Sequence, residues 1–320
     1  MKNKKIVVMG GGHGQSALLR GIKHIDNIDI STIVTVADDG GSTGRLRQYF
    51  GVPAMGDIRG VMIALAESES LLGSLMNYRF ESGNKEDQEK DVVGHNLGNL
   101  ILLALMQSTG DFAESIKTIS KVLNVKGEII PSSAQAITLF AKMEDGTIVK
   151  GEANIPKYNN RIHRVFYDTE VCASAQAVEA INEADLIIYG VGSIYTSILP
   201  NVIIPEIQEA LKKSKAKKVY FCNAMTQPGE TSNYQMEDHV EALEIHEAEI
   251  DEVFVANDEI PSDVLERYAI EGSKVVKVIG KSHHYPIRYE SLLSFDDGFI
   301  RHDMLKVKSV VEKILAEIEG

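Results

Sequence analysis

A short apolar run at residues 6–9 passes straight into Gly10-Gly11-Gly12-His13-Gly14, then into a helical stripe of Ala17, Leu18, Leu19 and Ile22, then into a second apolar run at 30–36. Two strands joined by a helix lie parallel, because an antiparallel pair needs only a tight turn. A parallel pair must in turn be covered on both faces, which commits the chain to an α/β fold with a mainly parallel sheet.

The rest of the chain extends this start. Helices are expected over 57–67, 69–78, 96–107 and 112–123, a block with few strand signals. Residues 137–143, the turn Glu144-Asp145-Gly146 and residues 147–153 form a predicted β-hairpin, with 162–167 as a third strand. This hairpin reads as an excursion, about 130–168, from a single unit spanning 1–320. Alternation then returns: helix 174–184, strand 186–189, helix 203–213, strand 219–222, helix 236–247, strand 253–256, helix 262–270, strand 275–279 and a closing helix over 303–318. The stretch 81–91, rich in Glu, Lys, Asp and Asn, reads as a solvated loop.

With 320 residues, 44% of them hydrophobic, the chain has material for a large core. Its two cysteines, Cys172 and Cys222, form no CxxC pair, so neither a disulfide framework nor a thiolate zinc site is indicated. No stretch approaches the roughly 20 apolar residues of a membrane span, and the N-terminus has no signal-peptide core; a cytoplasmic setting is expected. A net charge of −13 opposes general nucleic-acid binding. Residues 1–60 run against that balance, with eight Lys or Arg against five Asp, which suits an anionic ligand at this end.

The chemistry is concentrated after the strands. Gly10, Gly11, Gly12, His13 and Gly14 join a strand to a helix, where backbone N–H groups can meet phosphate. As a dinucleotide fingerprint the loop is incomplete, because Gln15 holds the third glycine position. The second strand ends in Asp38, Asp39, Gly40, Gly41, Ser42, Thr43, Gly44 and Arg45: carboxylates for Mg²⁺ or ribose hydroxyls, glycine N–H groups for an anion nest and an arginine for phosphate. Asp57 opens a helix as a cap or as a second metal ligand beside Asp39. Asn96 and Asn99 sit one turn apart at another helix start, placed to read a base or a sugar. Gly190, Gly192 and Ser193 follow a later strand, and Asn223 the next. Polar exits at successive strand ends point to one shared cleft.

Taken in order, the segments GGGHG, TVADDGGSTGRLR, GDIRG, GHNLGNL, GVGSIYTSILPN and CNAMTQPGET resemble the gluconeogenesis factor family (YvcK-like), within the 2-phospho-L-lactate transferase (CofD-like) superfamily. The resemblance covers nearly the whole chain. It implies a Rossmann-like three-layer fold, binding of UDP-N-acetylglucosamine, and a regulatory role in gluconeogenic growth, cell shape and supply of cell-wall precursors. It further implies contact with glucosamine-6-phosphate synthase and a homodimer, for which no coiled-coil seam gives independent support. Carried over by position, the family's sugar-nucleotide contacts include Tyr268 and Arg301. Tyr268 falls on an amphipathic helix and also reads as a core aromatic. Arg301 reads as the start of the last helix, where the dipole opposes a cation unless an anion compensates.

Three functions follow. The leading one is a non-catalytic sensor of a nucleotide sugar, consistent with the lack of GxSxG and of a Cys-His pair. The alternative is a Mg²⁺-dependent transferase like the related enzymes, which move a phospholactyl group from a guanosine-diphosphate carrier. In that reading Asp38, Asp39 and Asp57 hold the metal, and Arg45 and Arg59 stabilise the phosphates. A nicotinamide dehydrogenase is the third, weakened by the missing glycine.

Overall fold

The computed structural model describes residues 3–81, 92–158, 160–280 and 282–319. Most of the expected solvated loop at 81–91 lies outside the described residues.

Strands β1 (Lys4–Gly10) and β2 (Ile28–Val34) pair in parallel, with Gly10 opposite Val34, and are joined by helix α1 (Gly12–Ile22). Helices α2 (Gly41–Phe50), α3 (Gly56–Leu65), α4 (Glu69–Asn77), α5 (Leu97–Thr109) and α6 (Phe112–Val122) follow, leading to β3 (Glu128–Pro131) on the far side of β2. The insertion comes next. β4 (Phe140–Met143), β5 (Ile148–Lys150), a 3₁₀ turn at Glu152–Lys157 and β6 (Ile162–Phe166) make a small antiparallel sheet in the order β5-β4-β6.

The chain then returns through α7 (Ala175–Glu183) to β7 (Leu186–Tyr189), on the other side of β1. A π-helical turn at Ile194–Ile198 runs into α8 (Leu199–Val202) and α9 (Pro205–Lys213), then β8 (Lys217–Phe221), α10 (Met236–Ile245), β9 (Glu252–Ala256) and α11 (Ser262–Ile270). Strand β10 (Ile287–Glu290) closes the sheet; β11 (Leu293–Ser294) and β12 (Arg301–His302) pair as a small hairpin before α12 (Met304–Glu319).

The seven-stranded sheet has the order β10-β9-β8-β7-β1-β2-β3, and all its pairs are parallel. Strand order reverses between β1 and β7. Right-handed crossovers therefore put α1 on one face and α9 on the other, giving the three-layer Rossmann-like arrangement expected from the sequence. On the first face α1 packs with α3 and α12; on the second, α9 packs with α7. The central strands are apolar on both sides: Ile6 to Met9 and all of β7 are buried. Among the described residues, no helix is long and apolar enough to cross a membrane.

Three elements differ from expectation. The predicted strand at 275–279 does not join the sheet, because the chain there hydrogen-bonds to the loop after β8 and to the start of α10: Val276 N donates to Ala224 O, and Lys277 O accepts from Met236 N. Its place at the sheet edge goes to β10. The edge strand β3, only four residues long and ending in proline, carried no usable pattern. The loop expected after β2 turns into α2 from Gly41 onward; a side chain at Gly44 would lie 2.0 Å from Asp39 O, so the glycine permits a tight first turn.

Candidate functional site

At the reversal point the loops after β1 and β7 touch. A Cβ at Gly14 would lie 2.3 Å from Val191 O, so only glycine lets α1 start against that loop. Beside this contact opens a cavity of about 900 Å³, lined among others by Gly12, Asp38, Ser42, Asp57, Asn99 and Arg301.

Four helices begin at this cavity. Gly12, Gly41, Gly56 and Leu97 are the first residues of α1, α2, α3 and α5, and none of the four starts carries a side-chain cap. Each turns the positive end of a dipole toward the same space, although Gly12 N already donates to Asp57 and Leu97 N to Tyr78 O.

Two carboxylates answer part of that field. Asp38 accepts from Gly40 N at 2.9 Å, and burial raises its pKa. Asp57 lies against Gly11 and Gly12; its burial and the charge of Asp38 push its pKa up to about 7. On the opposite wall, Ser42 Oγ holds His95 Nδ1 at 2.9 Å and accepts from Asn99 Nδ2 at 3.2 Å, while Asn96 Nδ2 donates to Asn77 O. Burial and the neighbouring Arg45 and Arg79 lower the His95 pKa, so this ring is neutral.

The roof comes from the far end of the chain. Asp258 accepts from Ser291 Oγ, Leu292 N, Leu293 N and Lys306 Nζ, pinning the β11–β12 hairpin. Partial burial opposes ionisation, but these donors hold its pKa down at about 2. The hairpin brings Phe299 and Arg301 over the cavity, with the Arg301 guanidinium 5.7 Å from the Phe299 ring. Tyr268 Oη accepts from Ile300 N at 3.0 Å. Arg301 belongs to β12 rather than to the first turn of the last helix. Asp303 performs the capping, accepting from Leu305 N and Lys306 N.

Of the residues singled out from sequence, Gly12, His13, Gly14, Asp38, Gly40, Gly41, Ser42, Asp57, Asn96, Asn99, Tyr268 and Arg301 line the cavity together. Gly10 and Gly11 stand behind it. Others do not line it. Asp39 turns to the insertion, accepting from Ala153 N at 2.9 Å, and Arg45 donates to Val93 O. Gly190 packs on Met9, Gly192 O accepts from Asn223 Nδ2, and Ser193 bonds to the buried Glu230. Asp39 and Asp57 thus face different neighbours and make no metal pair. Among the described residues, no three His, Cys, Asp or Glu side chains are grouped as a metal ion would need. Sequence reasoning missed Arg79 and Phe299, which lie in segments without a motif and reach the cavity only through long-range pairing: Arg79 bridges to Asn96, and the roof hairpin carries Phe299.

The profile of the family described as 2-phospho-L-lactate transferase CofD matches residues 6–288. The chain belongs to the CofD family. This CofD-family protein is 45% identical to the gluconeogenesis factor of Bacillus subtilis over 98% of each chain. It is also 45% identical to the gluconeogenesis factor of Halalkalibacterium halodurans, over 97% of this chain and 96% of that one. A crystal structure of a UPF0052-family protein from Bacillus halodurans matches with a TM-score of 0.90 at 42% identity, covering 98% of this chain and all of the other.

Proposed function

We propose that this CofD-family protein is a regulatory sensor that binds UDP-N-acetylglucosamine, in the cytoplasm, and adjusts cell-wall precursor supply and cell shape during gluconeogenic growth. The observation that carries the nucleotide part is the convergence of four helix starts on one cavity, where Asp38 and Asp57 suit hydroxyl groups at the α1 and α2 starts and the acid-free α5 start suits a diphosphate. Phe299 and Arg301 at the mouth suit stacking of a planar base. The names of the close relatives support the metabolic setting. Glucosamine-6-phosphate synthase as partner and a homodimeric state belong to the same proposal, on family resemblance.

A second reading, a transferase acting on a nucleotide-diphosphate carrier, is favoured by the description of the matching family and by Asp38 and Asp57 facing the cavity. A resident magnesium ion fits poorly. These two carboxylates are its candidate ligands from the chain, and both are held by backbone N–H groups.

Calorimetric titration with UDP-N-acetylglucosamine, UDP, GDP and NAD, with and without Mg²⁺, tests the proposal. Selective binding of the uridine sugar, lost in Arg301→Ala, supports the sensor. Tighter GDP binding strengthened by Mg²⁺, followed by turnover that Asp57→Asn abolishes, replaces it with the transferase.

A further inference from the structure

The cavity is electrically divided. At one side, the starts of α1 and α2 are already answered by carboxylates, Asp57 against Gly12 and Asp38 on Gly40 N. A phosphate placed there would meet two carboxylates. At the other side stands the start of α5, whose first turn holds no acidic residue and whose Asn96 gives no side-chain cap, although its first N–H, at Leu97, donates to Tyr78 O.

Arg59 reaches this end. Its stem passes so close to Gly98 that a Cβ there would lie 2.7 Å from Arg59 Cδ, which explains a glycine in the first turn of α5. The Arg59 Nε and Nη1 are buried with no hydrogen-bond partner. Among the described residues, no carboxylate lies within ion-pair distance of Arg59 or of Arg79. Arg79 shares the wall and adds a second positive charge, felt at Arg59. Asn99, 1% exposed, borders this wall, but its Nδ2 is held by Ser42 Oγ and its unpartnered Oδ1 is an acceptor, suited to a hydroxyl of the ligand and not to its phosphates. Asp57 and Asp38 act on Arg59 only from beyond ion-pair distance, and two buried guanidinium nitrogens without hydrogen bonds are costly unless an anion completes them.

We propose that Arg59 and Arg79, with the start of α5, form the seat of the ligand's diphosphate, and that Asp38 and Asp57 face its hydroxyl groups instead. The first glycine loop then shapes the cavity and lets α1 approach the loop after β7, rather than wrapping phosphate. The assignment rests on the nucleotide-diphosphate reading above and refines where that ligand lies. It also separates two ligand classes: nucleoside diphosphates gain from the arginine wall, and nucleosides do not.

Inorganic pyrophosphate, uridine, UDP and UDP-N-acetylglucosamine titrated calorimetrically into the whole protein form the test. Loss of charge-assisted hydrogen bonds predicts that Arg59→Gln weakens pyrophosphate and UDP by about thirty-fold while leaving uridine unchanged. Arg79→Gln, at an exposed position, predicts a loss of about five-fold and carries the test should Arg59→Gln fail to fold. Unchanged pyrophosphate affinity in both variants, or no pyrophosphate binding by the wild type, overturns the seat. Pyrophosphate binding that depends on Arg59, without any binding of UDP-N-acetylglucosamine, keeps the seat and removes the nucleotide-sugar reading.

Discussion

The carboxylate of Asp57 is buried against the backbone of Gly11 and Gly12, and its burial first and the charge of Asp38 second push its pKa up to about 7, against the opposing pull of the Gly12 N–H. An aspartate in this setting carries its proton in the folded protein over a range where the unfolded chain has already lost it.

Stability should therefore fall as pH rises from about 4 to about 7, because the folded state binds more protons than the unfolded state in that window. Above it, the full cost of ionising Asp57 is present. Asp57→Asn removes this slope: its melting temperature should exceed the wild type's by more at pH 7.5 than at pH 5. Parallel melting curves across that range would contradict the assignment.

Asp258 has the opposite sign. Its pKa of about 2 lies below the usual carboxylate value, so the stability it supplies is present above pH 4 and is lost as pH falls toward 2. Asp258→Asn should loosen the β11–β12 hairpin first. Hydrogen exchange should speed up over 291–303 more than in β1 or β7, and affinity for the nucleotide ligand should drop.

Tyr268 acts on the same roof through its hydroxyl. Tyr268→Phe removes the acceptor of Ile300 N and leaves that donor without its partner, a cost of about 1–3 kcal/mol if water does not replace it. Weaker ligand binding with little change in melting temperature is expected, since the hairpin lies outside the main sheet. An unchanged dissociation constant would show that the ring alone, not the hydroxyl, matters.

Gly14→Ala tests the contact at the reversal point. The added Cβ would lie 2.3 Å from Val191 O and 2.5 Å from Val191 C, both backbone atoms that side-chain rotation cannot relieve. Moving α1 away from the loop after β7 should cost about 1–3 kcal/mol, measurable as a lower denaturation midpoint.

The parallel sheet was legible because β1, β7, β8 and β9 each carry a continuous apolar run, the pattern that two-sided burial demands, and β2 follows β1 across a single helix. The strand predicted at 275–279 was apolar for another reason: Val276 packs in the core, but its backbone is satisfied by the loop at Ala224. In the site, Asp38, Ser42 and Asn99 stood out because polar residues crowd at strand and helix ends. Arg59 was visible in its GDIRG setting. Its unbonded guanidinium nitrogens were not, since their placement depends on Gly98 opening space thirty-nine positions later. Asp39 and Asn223 illustrate the converse: the right residue types at the right strand ends, but bonded to Ala153 and Gly192 rather than facing the cavity.

The cavity takes its floor from residues that begin at Gly12 and its roof from residues that end at Met304. A ligand held between them ties the opening of the chain to its closing helix across nearly the whole length. During synthesis the part of the site contributed by Phe299 and Arg301 is missing until the roof hairpin has emerged and docked, so the ligand's full stabilising effect belongs to finished molecules and not to partial ones.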